Sequence, residues 1–366
     1  MILIENLVFS NQKIGGISVV WYELVRRLAK DADLRVLFLE YEGAQRNFLR
    51  RTIEIPDSMV LKGNSFLLRI RRFFNIRFNR RKPFIFHSSS YRIARNKEAI
   101  NFVTVHDFIY FISKPETIRG ICLKWVHCRQ IARALKRADY IICVSNNTRH
   151  DLIKFFPGIS REKLHVIHNG VSDDFCMLHD LEFSQLPYPK NSFALFVGSR
   201  SRYKNFGLAV EAVALTNLSL VVVGKELDGD EQAFIDKFLP AGRYKCLKGI
   251  SNASLNQLYN GAFCLLYISS YEGFGIPVIE AQRAGCPVIA YNASSIPEII
   301  GETPLLINEL SAQSIQNCLN RLQNNEFRSR IILNGIRNAE NFSWDKSYSR
   351  IKQLYLEAEV MSLNLQ

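Results

Sequence analysis

The chain has 366 residues, of which 48% are hydrophobic and 22% are charged, and its formal net charge is +13 at pH 7. This composition excludes an intrinsically disordered chain, and the length predicts two domains rather than one. The excess of positive charge favours an anionic partner, such as nucleic acid, a phosphorylated ligand or an acidic membrane surface.

Strand-like and helix-like segments alternate along almost the whole sequence. In the first half, strands are predicted at 2–9, 34–40, 84–87, 102–106, 140–144 and 164–168, and helices at 17–29, 118–136 and 146–156. The regularity ends after Phe175, and the stretch 176–191 predicts a linker. In the second half, strands are predicted at 193–197, 218–223, 244–247, 263–268 and 287–291.

Repeated strand–helix–strand units predict parallel sheets that are covered by helices on both faces. Two such series joined by a linker predict two doubly wound domains that face each other across a cleft. Ligands of such sheets bind beyond the carboxyl ends of the strands, where the strand order reverses. The loops that follow strands are therefore the places to search for functional residues.

The cysteines and the first residues indicate a cellular location. Eight cysteines are scattered without a Cys-x-x-Cys pair, and the seven histidines lack metal-ligand spacing, which predicts free thiols in a reducing compartment and no metal site. The start (MILIENLVFS) lacks the basic region of a signal peptide, and no apolar run reaches the roughly 18 residues of a membrane span. We therefore expect a cytoplasmic protein.

Two loops of the first half carry candidate binding residues. Gly15 and Gly16 precede a predicted helix, where glycine lets backbone N–H groups approach a phosphate, although an ordinary flexible turn has the same sequence. His106 and Asp107 follow a predicted strand, so they form either a polar site that faces the cleft or a hydrogen-bonded loop.

The loop after the first strand of the second half is basic. Arg200, Arg202 and Lys204 come just before a predicted helix, where cations oppose the helix dipole. A bound anion with two negative charges would explain their position, because basic side chains and helix amides would both point at it. The alternative is a solvated basic loop.

The stretch 269–290 (SSYEGFGIPVIEAQRAGCPVIA) places two carboxylates around a glycine turn. Glu272 precedes the turn, and Glu280 falls in the first turn of a helix that begins near Pro277. One carboxylate near a helix start can be a simple cap. Two carboxylates around a glycine turn at a strand end also suit a ligand with vicinal hydroxyls, such as a ribose or a sugar.

This stretch resembles the motif Ser-x-Tyr-Glu-Gly-Phe-Gly-Ile-Pro-x-x-Glu of the retaining, nucleotide-sugar-dependent glycosyltransferases of family 4, which have the GT-B fold. Further segments resemble the family, in the family's order, at 15–16, 106–107, 144–152, 166–171, 197–212, 294–301 and 342–351. The resemblance implies an α/β GT-B fold with two Rossmann-like domains. These would be an acceptor-binding domain at 1–185, a nucleotide-sugar-binding domain at 186–343 and a C-terminal helix at 344–366 that packs back on the first domain.

The resemblance implies roles at the sugar and nucleoside ends of a donor. Glu280 would bind the ribose hydroxyls, and Glu272 would contact the donor sugar. His106 would lie at the sugar near the reacting centre, and Ile250 would lie where the family reads the base through backbone groups. The backbone amides of the glycine turn would contact the sugar and the distal phosphate; they belong to Gly273, Phe274, Gly275 and Ile276.

The resemblance also implies a phosphate site. Lys204 and an arginine would neutralise the diphosphate leaving group, and the glycine pair at 15–16 would bring backbone to it from the first domain. Tyr203 stands where many family members have arginine. Either Arg200 or Arg202 therefore completes the site, and Arg200 is favoured.

The function that the resemblance implies is transfer of a hexose, with retention, from a GDP- or UDP-sugar to a hydroxyl of a saccharide or lipid-linked saccharide acceptor. Mannose is the first candidate for the hexose, and synthesis of cell-surface polysaccharide or lipopolysaccharide is the expected setting. No cofactor and no metal are expected. Two alternatives stay open: a nucleotide-sugar epimerase of the same fold, and a basic nucleic-acid-binding protein, although no nucleic-acid partner is expected.

A basic, apolar segment suggests a membrane partner. From 58 to 97 the chain has no acidic residue, and the segment 66–82 (FLLRIRRFFNIRFNRRK) mixes arginines with Phe and Leu. Such a segment suits the anionic, cytoplasmic face of the inner membrane, where a peripheral enzyme would meet a lipid-linked acceptor. A solvated surface loop or an RNA-binding segment would have a similar composition.

Overall fold

The computed structural model describes residues 1–13, 15–115, 117–179 and 186–364, which form two compact units. Unit 1 comprises Met1–Asn169 and Trp344–Gln366, and unit 2 comprises Gly170–Ser343. Each unit is an α/β domain built on one parallel sheet, which confirms the predicted fold class. The two units are described separately below.

The units divide after Asn169, whereas the predicted boundary at residue 185 lies outside the described residues. Residues just beyond Asn169 already pack on unit 2. The ring of Phe175 lies 5.9 Å from that of Tyr259, and the backbone N–H of Leu178 donates to an Asn260 side-chain oxygen at 2.8 Å. The first part of the expected linker therefore belongs to the second unit.

The sheet of unit 1 has seven parallel strands. They are β1 (Ile2–Glu5), β2 (Val36–Glu40), β3 (Val60–Lys62), β4 (Phe84–Ser88), β5 (Ala99–Val105), β6 (Tyr140–Cys143) and β7 (Leu164–Val166). The helices are α1 (Leu7–Asn11), α2 (Gly16–Leu28), α3 (Leu68–Arg71), α4 (Ile109–Ile112), α5 (Ile118–Arg137) and α6 (Asn146–Phe155). The strand order is β3-β2-β1-β4-β5-β6-β7, so it reverses between β1 and β4.

The strand predicted at 2–9 is shorter in the structure. β1 stops at Glu5, and α1 follows with three buried apolar residues. Asn6 separates the two elements, because its side chain accepts a hydrogen bond from Trp21 Nε1 and donates one to Glu40 Oε1, both at 2.9 Å. The prediction was wrong here because the buried face of a one-turn helix looks like a continued apolar strand.

The sheet of unit 2 has six parallel strands. They are β8 (Phe193–Val197), β9 (Ser219–Val223), β10 (Tyr244–Leu247), β11 (Cys264–Tyr267), β12 (Val288–Tyr291) and β13 (Leu306–Ile307). The helices are α7 (Phe206–Ala214), α8 (Gly229–Phe238), α9 (Asn252–Gly261), α10 (Ile276–Arg283), α11 (Ile296–Ile300), α12 (Ala312–Arg321) and α13 (Asn325–Ala339). The order β10-β9-β8-β11-β12-β13 reverses between β8 and β11.

The last helix, α14 (Trp344–Asn364), belongs to unit 1 although it follows unit 2 in the sequence. Its side chains Ile351 and Leu354 join the core of unit 1, where they pack with β1 and α2. The Tyr355 hydroxyl lies 2.6 Å from His87 Nδ1, inside that core. The helix is therefore an integral part of the first domain.

All eight cysteines are free thiols, and four of them are buried. Burial raises the pKa of the Cys143 and Cys286 thiols to about 12, so these two stay protonated and act as small core residues.

Across the described ranges, no helix is both long enough and apolar enough to cross a bilayer.

Candidate functional site

The reversal of strand order in unit 2 brings two of the predicted loops together. β8 and β11 are neighbours, so the loop after β8, which carries Lys204, lies beside the loop after β11, which carries Glu272. Lys204 Nζ and the Glu272 carboxylate form an ion pair, and both side chains are mostly buried. Two predicted site residues therefore meet at the sheet edge where α/β proteins bind ligands.

Two tyrosine rings surround this ion pair. Lys204 Nζ lies 5.1 Å from the ring centroid of Tyr267 and 5.5 Å from that of Tyr203, where the rings attract its charge. Burial, together with the neighbouring Glu272 carboxylate, holds the pKa of Tyr267 well above its usual value of 10. The backbone N–H of Ser270 donates to the Tyr203 carbonyl at 2.7 Å, which ties the two loops together.

Asn205 fixes the loop that carries Lys204. Its backbone lies in the left-handed region, with φ 54° and ψ 40°, which asparagine adopts more readily than most residues. Its side-chain amide donates to the Ile268 carbonyl at 2.7 Å and to Ser270 Oγ at 2.8 Å. Asn205 was not predicted as a site residue, because these partners lie more than 60 positions away in sequence.

The glycine turn is held in one conformation at the start of α10. Gly275 has φ 115°, which favours glycine, and a Cβ at this position would lie 3.2 Å from Ile296 Cδ1. Ser295 Oγ lies 2.9 Å from the Glu272 carbonyl and 2.8 Å from the Phe274 carbonyl, so it can donate to either. Contacts within the protein therefore fix the backbone conformation of the turn that carries the predicted amides of 273–276.

Glu280 lies on α10, just beyond the glycine turn, and it is mostly shielded from solvent. Its carboxylate accepts a hydrogen bond from the Tyr259 hydroxyl at 3.1 Å. Burial raises the pKa of Glu280 to about 7, and this outweighs the opposite effect of the Tyr259 bond. The carboxyl group therefore keeps its proton to a higher pH than an exposed glutamate does, and a ligand that donates hydrogen bonds to it would favour the ionised form.

A Glu280→Gln variant should lose the part of the pH dependence of stability that comes from this carboxyl. Because its folded-state pKa of about 7 lies above the usual 4.5, its stabilising contribution is complete below the usual value and is lost as the pH rises through 7. Between about pH 5 and about pH 8, the wild-type free energy of unfolding should fall by up to about 3 kcal/mol more than that of the variant. Urea unfolding at both pH values measures this, and equal falls would contradict it.

Arg200 is bound by the loop after β9 and by α8. Its guanidinium donates to the Lys225 carbonyl at 2.9 Å and to the Glu226 carbonyl at 2.6 Å, and it pairs with Glu231 Oε2 at 2.7 Å. The bond to Arg200 lowers the pKa of Glu231. These contacts make Arg200 a connection between two loops, whereas Arg202 is exposed to solvent.

Ile250 follows β10, at the same edge of the sheet as the Lys204–Glu272 pair. Gly249 before it has φ 62°, and α9 begins directly after Ser251, whose side chain caps the helix. Ile250 thus lies in a short, sharply turned connection where its backbone groups are close to the end of the strand.

In unit 1, the glycine pair begins α2. Gly15 has an extended backbone, and its carbonyl accepts hydrogen bonds from Ser18 Oγ at 2.7 Å and from the Val19 N–H at 3.1 Å. A Cβ at Gly15 would lie 2.8 Å from the Gln12 side chain, whereas one at Gly16 would meet no described atom within 4 Å. The Gln12 contact is with the far end of a flexible side chain, so packing within the described residues requires a glycine at neither position.

His106 and Asp107 follow β5 in unit 1. Burial lowers the pKa of His106 to about 4, so its ring is neutral at physiological pH. The Asp107 carboxylate accepts a hydrogen bond from the Ile109 N–H at 2.9 Å, at the start of α4. Asp107 thus has a local structural role, and His106 offers a neutral ring at the carboxyl end of its strand.

Within the parts of the chain that the structure describes, no group of three His, Cys, Asp or Glu residues could hold a metal ion.

Two protein families match the chain. Glycosyltransferase Family 4 matches residues 14–175, and Glycosyl transferases group 1 matches residues 179–338. Together they cover most of the sequence, including every segment that carries a predicted site residue.

Curated relatives are similar over long stretches. O-antigen chain mannosyltransferase B of Escherichia coli is 24% identical over 369 aligned residues, which cover 93% of this chain and 95% of the relative. O-antigen chain mannosyltransferase RfbU of Salmonella typhimurium is 26% identical over 226 residues, which cover 60% of each chain.

Solved structures share the fold. The Anabaena protein HepE in complex with UDP-glucose superposes with a TM-score of 0.73 at 16% identity, over 97% of this chain and 99% of that one. WaaG, a glycosyltransferase involved in lipopolysaccharide biosynthesis, gives a TM-score of 0.72 at 14% identity with the same coverage. These likenesses support the GT-B fold that the sequence resemblance implied.

Proposed function

The chain belongs to the family 4 glycosyltransferases, and on this premise we propose that it transfers a hexose, with retention, from a nucleoside-diphosphate sugar to a saccharide hydroxyl. The proposed hexose is mannose, because the relatives named above are mannosyltransferases. The proposed donor is a GDP- or UDP-sugar, and one structure with the same fold binds UDP-glucose. The proposed setting is synthesis of O-antigen or another surface polysaccharide, and the proposal requires no cofactor.

The observation that carries this proposal is the Lys204–Glu272 ion pair at the strand reversal of unit 2. An ammonium and a carboxylate side by side match the two ends of the reacting part of a sugar diphosphate. Lys204 would neutralise the diphosphate, and Glu272 would accept hydrogen bonds from sugar hydroxyls. The glycine turn at 273–276 adds backbone amides beside Glu272, and Glu280 would bind the ribose hydroxyls. Ile250 would read the base through its backbone.

Two groups of unit 1 are proposed to serve the same donor. The α2 N-terminus at Gly15 and Gly16 would bring backbone N–H groups to a phosphate. Gly16 fits this role because packing within the described residues does not require a glycine there. His106 would act as a neutral hydrogen-bond partner of the sugar, since burial keeps its pKa near 4.

In the proposed reaction, the bond between the anomeric carbon and the leaving phosphate oxygen breaks, and the acceptor oxygen bonds to the same face of that carbon. The acceptor proton passes to the leaving phosphate, so no side chain acts as general base. Negative charge grows on the phosphate and positive charge on the anomeric carbon. Lys204 would stabilise the first, and the Glu272 carboxylate beside it would stabilise the second.

The proposed second cation at the phosphate is Arg202 rather than Arg200, because the guanidinium of Arg200 is already bound by the loop after β9 and by α8. An Arg202→Ala variant should lower kcat/KM for the donor by about tenfold to 10²-fold with little change in stability, because Arg202 is exposed. An Arg200→Ala variant should instead destabilise unit 2 by about 1 to 2 kcal/mol, because it removes the bonds to the Lys225 and Glu226 carbonyls and the ion pair with Glu231. Donor kinetics and urea unfolding of both variants test this, and the reverse pattern would restore Arg200 to the site.

The acceptor is proposed to be a saccharide or a lipid-linked saccharide. We propose that the segment 66–82 holds the enzyme against the anionic, cytoplasmic face of the inner membrane, so that a lipid-linked acceptor is within reach. Reversing the charge of the exposed Arg71, Arg77 and Arg81 should then reduce flotation with anionic liposomes.

The proposed function is tested by a thermal-shift screen of GDP- and UDP-sugars, followed by product analysis with saccharide acceptors. Stabilisation by one nucleotide sugar, and transfer of its sugar with retained anomeric configuration, are the expected results. Incubation with the donor alone separates the proposal from an epimerase, since an isomeric nucleotide sugar would be the product of an epimerase.

A further inference from the structure

The first half of α5 is apolar and yet exposed. Ile118, Ile121 and Trp125 are 82%, 55% and 61% exposed, and the first buried residue of the helix is Gln130. Their spacing of three and four residues places them on one face of the helix. A surface helix of a globular protein normally turns such a face towards the core. This face therefore lacks a partner within the described parts of the chain.

The stretch 66–74 presents a second set of exposed apolar side chains. Phe66, Ile70 and Phe74 are all more than half exposed. Two contacts hold the same segment on unit 1. Leu68 packs against a buried cluster of this unit, and the Phe74 carbonyl accepts a hydrogen bond from Arg92 Nε at 2.8 Å. The exposed side chains are thus held on an ordered backbone, as expected of a surface built for contact.

Direct contacts join the two segments that carry these side chains. The ring of Phe73 lies 5.3 Å from His127 on α5, and Gln130 Nε2 donates to the Arg72 carbonyl at 3.0 Å. His127 also stacks on Tyr110 of α4 at 4.4 Å. The segment 66–74 therefore packs beside α5, and we call residues 66–74 and 118–125 together the apolar–basic surface.

The charge of this surface selects its partner. α5 has six basic residues and no acidic one, and no acidic residue occurs between 58 and 97. Arg129 lies 5.2 Å from the ring centroid of Trp125, so basic and apolar groups alternate closely. A second copy of this chain would place like charges opposite each other. Nucleic acid would neutralise the positive charge but leave the exposed isoleucines in water. An anionic lipid surface would both neutralise the charge and bury the isoleucines.

We propose that the first half of α5 inserts its apolar face into the headgroup region of an anionic bilayer, beside the segment 66–82. This inference rests on the membrane contact proposed above and adds to it a helix with three further exposed apolar side chains. Trp125 would lie at the depth where tryptophan is favoured in membranes. The arginines and lysines around it would reach the lipid phosphates.

Tryptophan fluorescence tests this insertion directly. The chain has three tryptophans, and Trp21 and Trp344 are buried, so Trp125 is the one that can respond to lipid. Vesicles of phosphatidylcholine with phosphatidylglycerol should shift its emission to shorter wavelength, and brominated acyl chains should quench it. Vesicles of phosphatidylcholine alone should do neither. An unchanged emission spectrum with anionic vesicles would overturn the proposal.

A matched pair of variants tests the helix itself. Ile121→Glu should weaken partitioning into anionic vesicles by about tenfold or more. Leu333→Glu, which changes an equally exposed residue on α13 of unit 2 (54%), should not weaken it. If Ile121→Glu partitions like the wild type while charge reversal in 66–82 abolishes binding, the proposed role of α5 is wrong and the contact of 66–82 stands.

Transfer to a water-soluble acceptor keeps this result separate from the proposed function. Both glutamate variants should retain wild-type transfer rates with such an acceptor, because neither residue belongs to the donor site. Absence of transfer in the wild-type protein would contradict the proposed function and leave the vesicle results as they are. Salt-sensitive binding of oligonucleotides through Ile121 and Trp125, without vesicle binding, would assign the surface to nucleic acid and overturn the proposal.

Discussion

In a Lys204→Ala variant, kcat for sugar transfer should fall by about 10²- to 10³-fold, the usual effect of removing one group that stabilises transition-state charge in a buried site. Lys204 is the cation of the described ion pair, and the surrounding rings of Tyr203 and Tyr267 keep its ammonium in place. Water would replace the lost charge only poorly, because the side chain is mostly buried. The measurement is steady-state transfer at saturating donor and acceptor.

The same change should lower stability by only about 1 to 2 kcal/mol. Glu272 would lose its ionic partner, but its carboxylate keeps the neighbouring Tyr267 hydroxyl and some access to solvent. Lys237→Ala is the matched control, because Lys237 is an exposed lysine of the same unit, on α8. A Lys204→Ala enzyme with normal turnover would remove Lys204 from the mechanism, and equal losses in both variants would indicate a general effect of charge.

The pairing of Lys204 with Glu272 could be predicted in outline from the sequence. Both residues follow apolar strands, and parallel strands place their carboxyl ends at one edge. The sequence patterns did not reveal the strand order, and it is this order that makes β8 and β11 neighbours. That order depends on how whole strands pack, so local patterns predicted the loops and the resemblance supplied their combination.

The supporting contacts could not be predicted in this way. Asn205 and Ser295 hold the two loops through bonds to backbone carbonyls that lie far from them in sequence. The contacts of Arg200 could not be predicted either. Its position in the sequence suggested a phosphate contact, whereas its partners in the structure belong to α8 and the loop after β9. Local charge patterns do not reveal which charges are already paired within the fold.

The exposed half of α5 illustrates a different limit. Its alternation of apolar and basic residues predicted a helix, and the helix is present. The sequence alone did not indicate that Ile118 and Trp125 would point away from the core, because a buried stripe and a membrane-facing stripe have the same spacing. Only the position of the helix on the domain separates the two.

A Glu272→Gln variant should separate binding from turnover. Glutamine keeps the shape of the side chain and its hydrogen-bonding oxygen but removes the charge that pairs with Lys204. At the proposed site, a free nucleoside diphosphate would have to displace Glu272 from Lys204 in the wild type, so it should bind about three- to tenfold more tightly to the variant. Transfer should nevertheless fall by about 10²- to 10³-fold, since the carboxylate no longer stabilises positive charge at the anomeric carbon.

Calorimetric titration with the nucleoside diphosphate, together with steady-state kinetics, measures both effects on the same protein. Glu326→Gln is the matched control, because Glu326 is an exposed carboxylate at the start of α13 in the same unit. If Glu272 only held the donor sugar, the variant would show a higher KM for the sugar nucleotide with nearly unchanged kcat. A fall in kcat with tighter nucleotide binding instead assigns the carboxylate to the transition state, because charge at the anomeric carbon is absent from the bound donor and develops only as the bond to phosphate breaks.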